Sequence, residues 1–224
     1  MKIALVGDIH GSALPLVQAA QQADVIVQLG DFGLDHEAAA GSAVPVYWIG
    51  GNREHFRLFS HMQQAEAPVQ WADNCFYVPR GVVLELGKQR FLCLGGGDSV
   101  SRYNKGVDWS SRERITGFQI SRALSVTGRV DAILSHTPPQ STISKHFDPA
   151  AMERDFKLPR WWTSPTACAT EVIWQHFRQP PLFCSHMHQS VSDERGVRIL
   201  DIGEIVVLDS DVPARESLSP QLPA

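Results

Sequence analysis

Short apolar runs that stop abruptly at a polar cluster recur along this chain, and they constrain its fold more than any other feature. Ile3–Val6 stops at Gly7-Asp8-Ile9-His10, Val25–Leu29 at Gly30-Asp31, and Val46–Ile49 at Gly50-Gly51-Asn52. Ala132–Leu134 stops at Ser135-His136, and Leu182–Cys184 leads into Ser185-His186-Met187-His188. Each run is short and nearly free of polar residues, so each reads as a strand buried on both faces. Leu14–Gln22 carries helical spacing after Ser12, a candidate N-cap. Glu54–Met62 reads as a second helix, with Phe56 and Phe59 on one face. Strands alternating with helices predict parallel pairing with helical crossovers. Such sheets place their sites in the loops at strand C-termini.

The rest of the chain is more mixed. Val82–Leu86 and Phe91–Leu94 predict a hairpin around Gly87-Lys88-Gln89-Arg90. Glu113–Thr127 and Ala167–Phe177 read as helices, while residues 140–165 read as irregular. Ser190–Ser192, Val197–Leu200 and Ile205–Leu208 read as closing antiparallel strands. One domain over residues 1–209 is expected. Residues 210–224, with Pro213, Pro220 and Pro223 and little apolar content, are expected to form a disordered tail.

Composition narrows the class. A chain of 224 residues, 43% apolar, suffices for one substantial core. A formal net charge of −4 gives no basic stripe for gripping nucleic acid. No run approaches the ~18 apolar residues of a membrane span. The N-terminal apolar stretch ends at Asp8, short of the ~7–15 residues of a signal peptide core. The four cysteines form no Cys-x-x-Cys pair, which suits a reducing compartment. A soluble, cytoplasmic protein is the expectation.

The polar clusters supply seven candidate ligands: Asp8, His10, Asp31, Asn52, His136, His186 and His188. Taken singly, each motif is short and common. Asp-x-His suits a strand end, Gly-Asp a turn, Gly-Asn a glycine turn, and a lone His a hydrogen-bonded strand end. If strand geometry persists, the two-residue spacing of Asp8 and His10 turns both toward one pocket. His186 and His188 repeat that spacing. Carboxylate, carboxamide and imidazole in one fixed order, mostly at strand ends, point to a site for hydrolytic metal ions.

This order resembles that of the calcineurin-like metallophosphoesterases: Gly-Asp-x-His, Gly-Asp, Gly-Asn, a lone His, then His-x-His. The resemblance spans residues 1–208, and Asp24–Gly33 and Leu94–Gly97 look like a bacterial branch. It implies an α/β fold, a four-layer α-β-β-α sandwich of two mixed sheets flanked by helices. It also implies two divalent metal ions, Mn²⁺ by preference, with Fe or Zn²⁺ as alternatives. Asp8, His10, Asp31 and His188 would hold the first, and Asp31, Asn52, His136 and His186 the second. The implied activity is hydrolysis of a phosphodiester or phosphomonoester by a metal-bridging hydroxide. The substrate would be a small phosphate ester or a nucleotide. The alternative is a non-catalytic metal-binding scaffold of the same fold, used for protein interaction.

One departure stands out. The family usually reads Gly-Asn-His-Asp or Gly-Asn-His-Glu, with the His as proton donor to the leaving group. Here the segment is Gly51-Asn52-Arg53-Glu54. Arginine is a poor proton donor. Arg53 is expected to clamp a phosphate oxygen instead, oriented by Glu54, with His55 either a substitute acid or simply a histidine on the helix surface. Arg102, on the polar loop after Gly95-Gly96-Gly97, is a second candidate substrate contact. The Gly-Asp-x-x-Asp-Arg-Gly of protein phosphatases is missing after Gly30, which argues against a phosphoprotein phosphatase.

Overall fold

The computed structural model describes residues 1–33, 41–59, 61–100 and 110–216. Two mixed six-stranded sheets form its centre. The first has the order β12-β1-β2-β3-β5-β4, from β1 (Lys2–Val6), β2 (Val25–Gln28), β3 (Val46–Trp48), β4 (Val69–Ala72), β5 (Cys75–Tyr77) and β12 (Ile205–Asp209). The second has the order β10-β11-β9-β8-β7-β6, from β6 (Val82–Leu86), β7 (Gln89–Leu94), β8 (Ala132–Ser135), β9 (Leu182–Cys184), β10 (Val191–Asp193) and β11 (Val197–Ile199). The described helices are α1 (Leu14–Ala20), α2 (Phe56–Phe59), α3 (Gly117–Leu124), α4 (Gln140–His146), α5 (Pro149–Phe156) and α6 (Pro165–His176).

The layers follow from the two-residue period of a strand. Ile3, Leu5, Val25 and Val27 meet Leu84, Phe91, Cys93 and Leu134 between the sheets. Their alternates, Ala4, Val6 and Ile26, pack outward with Leu16 and Ala19 of α1 and Phe56 of α2. In the second sheet Leu92, Leu94 and Ile133 turn outward against Ala123 of α3 and Ile173 and Trp174 of α6. Both faces of each central strand are therefore dry, which is why their sequences run continuously apolar. The result is the four-layer α-β-β-α sandwich. No described helix is long and apolar enough to cross a membrane.

Several elements differ from expectation. The hairpin β4–β5 adds two strands that the sequence reading omitted, and β5 runs parallel to β3, pairing Val46 with Cys75 and Trp48 with Tyr77. The Asp73-Asn74 turn between aromatic residues was its signal, and Asn74 takes the left-handed backbone (φ 58°) such turns need. Within the expected helix 54–62 the described residues hold α2 and the start of a 3-10 turn at Met62–Gln64, and the backbone amides of Asn52 and Arg53 donate to Asp31 Oδ1 just before α2. The expected helix 113–127 is a 3-10 turn at Ser111–Glu113 followed by α3. A reciprocal Thr116–Gln119 capping box starts α3 afresh. Residues 140–165 are not irregular throughout but hold α4 and α5, the latter capped by Asp148 with Pro149 in its first turn.

The chain end also differs. β12 crosses to the first sheet, antiparallel to β1 with Ile3 opposite Leu208, while β11 runs parallel to β9. Residues 210–216 of the expected tail pack on the sandwich. Ala214 is buried in the inter-sheet core, and Gln89 Nε2 donates to the carbonyls of Ser210 (3.2 Å) and Val212 (3.0 Å). Residues 217–224 lie outside the described residues.

Candidate metal centre

The loops that follow β1, β2, β3, β8 and β9 bring all seven candidate ligands to one edge of the sandwich. One ligand atom each from Asp8, His10, Asp31 and His188 lies within 4.8 Å of the others. His10 Nε2 faces His188 Nε2 at 3.2 Å, and His188 Nε2 is 3.0 Å from Asp8 Oδ2. On the inner side, His136 Nε2 lies 3.0 Å from Asn52 Oδ1 and 3.5 Å from Asp31 Oδ1. The His186 ring stacks obliquely on His136, with centroids 4.7 Å apart. Asp31 thus stands between the two groups.

Strand geometry does not bring about this convergence, contrary to the sequence expectation. β1 ends at Val6 and β9 at Cys184. Beyond them His10 (φ 45°), His186 (φ 70°) and His188 (φ 49°) take the left-handed backbone, as does Asp31 (φ 53°). Such a conformation costs a non-glycine residue about 1–3 kcal/mol and persists where surrounding contacts impose it. Four of the seven candidate ligands carry it. Two glycines admit the close approach: a Cβ at Gly30 would collide with the His136 ring, and one at Gly51 with Asp31 Oδ1.

Outer contacts then fix the donors. His136 Nδ1 is 2.9 Å from the Leu29 carbonyl oxygen, which can only accept. In the neutral ring Nδ1 therefore carries the proton, and Nε2 presents a lone pair. That lone pair faces Asn52 Oδ1, also an acceptor. An imidazole nitrogen and a carboxamide oxygen 3.0 Å apart beside a buried carboxylate give a cation three ligand atoms, so the donor set fits a bound metal. The oxygens and imidazole nitrogens, with no thiolate, suit a hard or borderline divalent ion.

These close-set groups also shift one another's protonation. Burial raises the Asp8 carboxyl, but His136, the His188 contact and Ser185 outweigh it and hold Asp8 well below the usual carboxylate range. Burial first, then the neighbouring His136, pushes His186 down to about 4, leaving its ring neutral and able to ligate. Contact with Asp8 raises His188.

Two residues that the sequence reading left without this role hold the cage together. Buried Gln28 donates through Nε2 to the carbonyls of Gly7 and Gly30 and accepts from Gly30 N at 3.0 Å, joining the loops after β1 and β2. A polar residue inside an otherwise apolar buried run was its signal. Glu54, expected to orient Arg53, instead aims its carboxylate at backbone amides: Phe32 N and Gly51 N at 3.0 Å and Gly33 N at 3.4 Å. It locks the Asp31 loop to the Asn52 loop. Burial, then the charge of Asp31, pushes Glu54 up to about 7.

The centre opens on a cleft of about 460 Å³. Arg53 lines it with an exposed side chain, while its backbone amide donates to Asp31 Oδ1 at 2.8 Å. His55 is exposed and does not line the cleft. Arg102 lies outside the described residues.

No curated protein matches the chain. The family model for calcineurin-like phosphoesterases matches residues 1–190. That span contains both halves of the cage, from Asp8 to His188, and every strand that delivers a candidate ligand to it. The chain belongs to the calcineurin-like phosphoesterase family.

Proposed function

We propose that this chain is a dinuclear metal-dependent phosphoesterase acting on a small phosphodiester or phosphomonoester. The observation that carries this reading is the convergence of ligand atoms from Asp8, His10, Asp31 and His188 within 4.8 Å, with His136 Nε2 and Asn52 Oδ1 beside Asp31. In this reading Asp8, His10, Asp31 and His188 hold one ion. Asp31, Asn52, His136 and His186 hold the other, with Asp31 shared. Mn²⁺, Fe or Zn²⁺ would suit these donors. When bound, such ions neutralise phosphate oxygens and acidify water enough for attack on phosphorus near neutral pH.

The chain's own residues do the rest. Gln28 and Glu54 keep the ligand loops in register, so the donors need not reorganise as charge develops. Arg53, anchored to Asp31 through its backbone, offers its guanidinium to a phosphate oxygen entering from the cleft. Arginine holds its proton too tightly to protonate a leaving group. Leaving groups of low pKa are therefore favoured. Arg53→His should raise turnover of an alkyl phosphate ester by about 10-fold or more; an unchanged rate rejects this role.

The test of the function is hydrolysis of bis-p-nitrophenyl phosphate and p-nitrophenyl phosphate by metal-stripped protein, with Mn²⁺ restored and Asp31→Asn as control. Metal-dependent turnover that the control loses is the expected result. A second reading, a metal-binding scaffold, draws on Arg53 standing where the family usually has its proton donor. Two bound ions with no turnover would favour it.

A further inference from the structure

The cleft has two unlike sides. One is the candidate metal centre. The other is built by α4 and α5 and the loop after α5, and it presents Phe147, Met152, Phe156 and Trp162, joined by Met187 from between the two histidines. Phe147, Met152, Trp162 and Met187 are only half-buried, and Phe156 is 42% exposed. Large apolar side chains left part-wet around a concavity gain when a ligand covers them. The cleft's size, about 460 Å³, falls in the roughly 300–1,000 Å³ range of small-molecule sites.

Most polar groups on this side are engaged, and exposed Asp148 takes the Ala150 amide on Oδ1 (2.9 Å). Asp98 pairs with Arg114, and its other oxygen accepts from Ser164 Oγ and from Thr166 N at 3.0 Å. His146 Nε2 sits 3.1 Å from Asp193 Oδ2, and Thr137 Oγ1 donates to the Gly96 carbonyl at 2.7 Å. Among the described residues lining the cleft, Arg53 is the sole Lys or Arg, and it lies on the metal side. Among its described cleft-lining residues this wall offers apolar area, the Asp148 carboxylate and no Lys or Arg. A second phosphate would lose its water there and meet a like charge in place of a cation.

We infer that the α4–α5 wall is a specificity subsite for an apolar, uncharged organic group of the phosphate ester, such as an aryl group. This rests on the phosphoesterase reading above. The wall selects the body of the substrate while the metal centre takes its phosphoryl group.

The experiment has a binding arm and a turnover arm. Mn²⁺-loaded protein is titrated by calorimetry with 1-naphthylmethylphosphonate and with methylphosphonate, neither of which can be hydrolysed as an ester. The naphthyl compound should bind about 10- to 100-fold tighter. Met152→Ser and the more exposed Phe156→Ser should each cut that preference by about 3- to 10-fold and leave methylphosphonate binding unchanged. In the turnover arm, kcat/KM for 1-naphthyl phosphate relative to p-nitrophenyl phosphate should fall in the same variants, and circular dichroism checks their fold. Equal binding of the two phosphonates, or a preference untouched by both variants, overturns the subsite while metal-dependent turnover leaves the phosphoesterase reading standing. No phosphonate binding together with no turnover of any ester overturns both.

Discussion

The ligand cage and the α4–α5 wall face each other across one cleft and are built in opposite ways. In the cage, side-chain donors are held by backbone. The Asn52 and Arg53 amides grip Asp31, the Leu29 carbonyl orients His136, and Glu54 spans the amides of residues 32, 33 and 51. In the wall, half-buried apolar side chains rise from two short helices, and the polar contacts lie behind them. Four ligands of the cage sit in left-handed backbone, whereas among the described residues of the wall only Lys157, which caps α5, does so (φ 60°). This difference separates the two tasks. A reaction centre needs donors fixed to fractions of an ångström, whereas an apolar subsite needs only area and shape. The chemistry should therefore fail sharply on a single change, and selectivity should shift by degrees.

The strongest way to break the cage is Asp31→Ala, which removes the carboxylate between the two donor groups. Mn²⁺ affinity, measured by calorimetry, should fall by more than about 100-fold, beyond the ~10–100-fold typical of losing an outer contact. Glu54→Gln tests that outer layer. It keeps the shape and an oxygen for Phe32 N and Gly51 N but removes the charge and sets an amide NH₂ against Gly33 N, and Mn²⁺ affinity should fall by about 10-fold with the fold intact. An unchanged affinity would show that the loops hold their register without Glu54.

Asp193→Asn strikes behind the wall instead. Buried Asp193 binds His146 at the end of α4 and Arg195, which in turn donates to Ser141 Oγ (2.8 Å) and Thr142 Oγ1 (3.0 Å) of that helix. Arg195 above all, with help from His146, holds the Asp193 carboxyl well below the usual range. A carboxyl lowered in the folded state stabilises the fold above its unfolded pKa of about 3.9, and that contribution is lost as pH falls further. The variant should lose about 2 kcal/mol at pH 7 by urea denaturation, and the gap to wild type should narrow below about pH 3. Its Mn²⁺ affinity at pH 7 should match wild type. A matching fall would mean that the two regions are one mechanical unit.

The same contrast explains what the sequence discloses. The cage was legible because its ligand types stand in fixed order after buried runs, and those runs are the strands β1, β2, β3, β8 and β9 that carry the ligands. How the ligands converge was not legible. The spacing of Asp8 and His10 suggested a continuing strand, and a left-handed turn at His10 does the work instead. Backbone strain of this kind is imposed by tertiary contacts and leaves no local pattern. Glu54 looked like a partner for Arg53 because it is adjacent in sequence, whereas its partners are backbone amides, two of them on another loop. The wall was hardest to read. α4 and α5 are short, and their apolar residues face a cleft and keep no clear periodicity. Their one local signal was capping: Asp148 before Pro149 starts α5, as Ser164 before Pro165 starts α6.

The central claim is that the seven side chains close on two metal ions, with Asp31 between them. Its most direct test is the Mn²⁺ stoichiometry of metal-stripped protein, by calorimetry with elemental analysis, in wild type and in Asn52→Ala. Two ions per wild-type chain are expected. One tightly held ion should survive in Asn52→Ala, because Asp8, His10, Asp31 and His188 remain. A wild-type chain that holds fewer than two ions at saturation, or a variant that keeps two ions at undiminished affinity, would contradict the account.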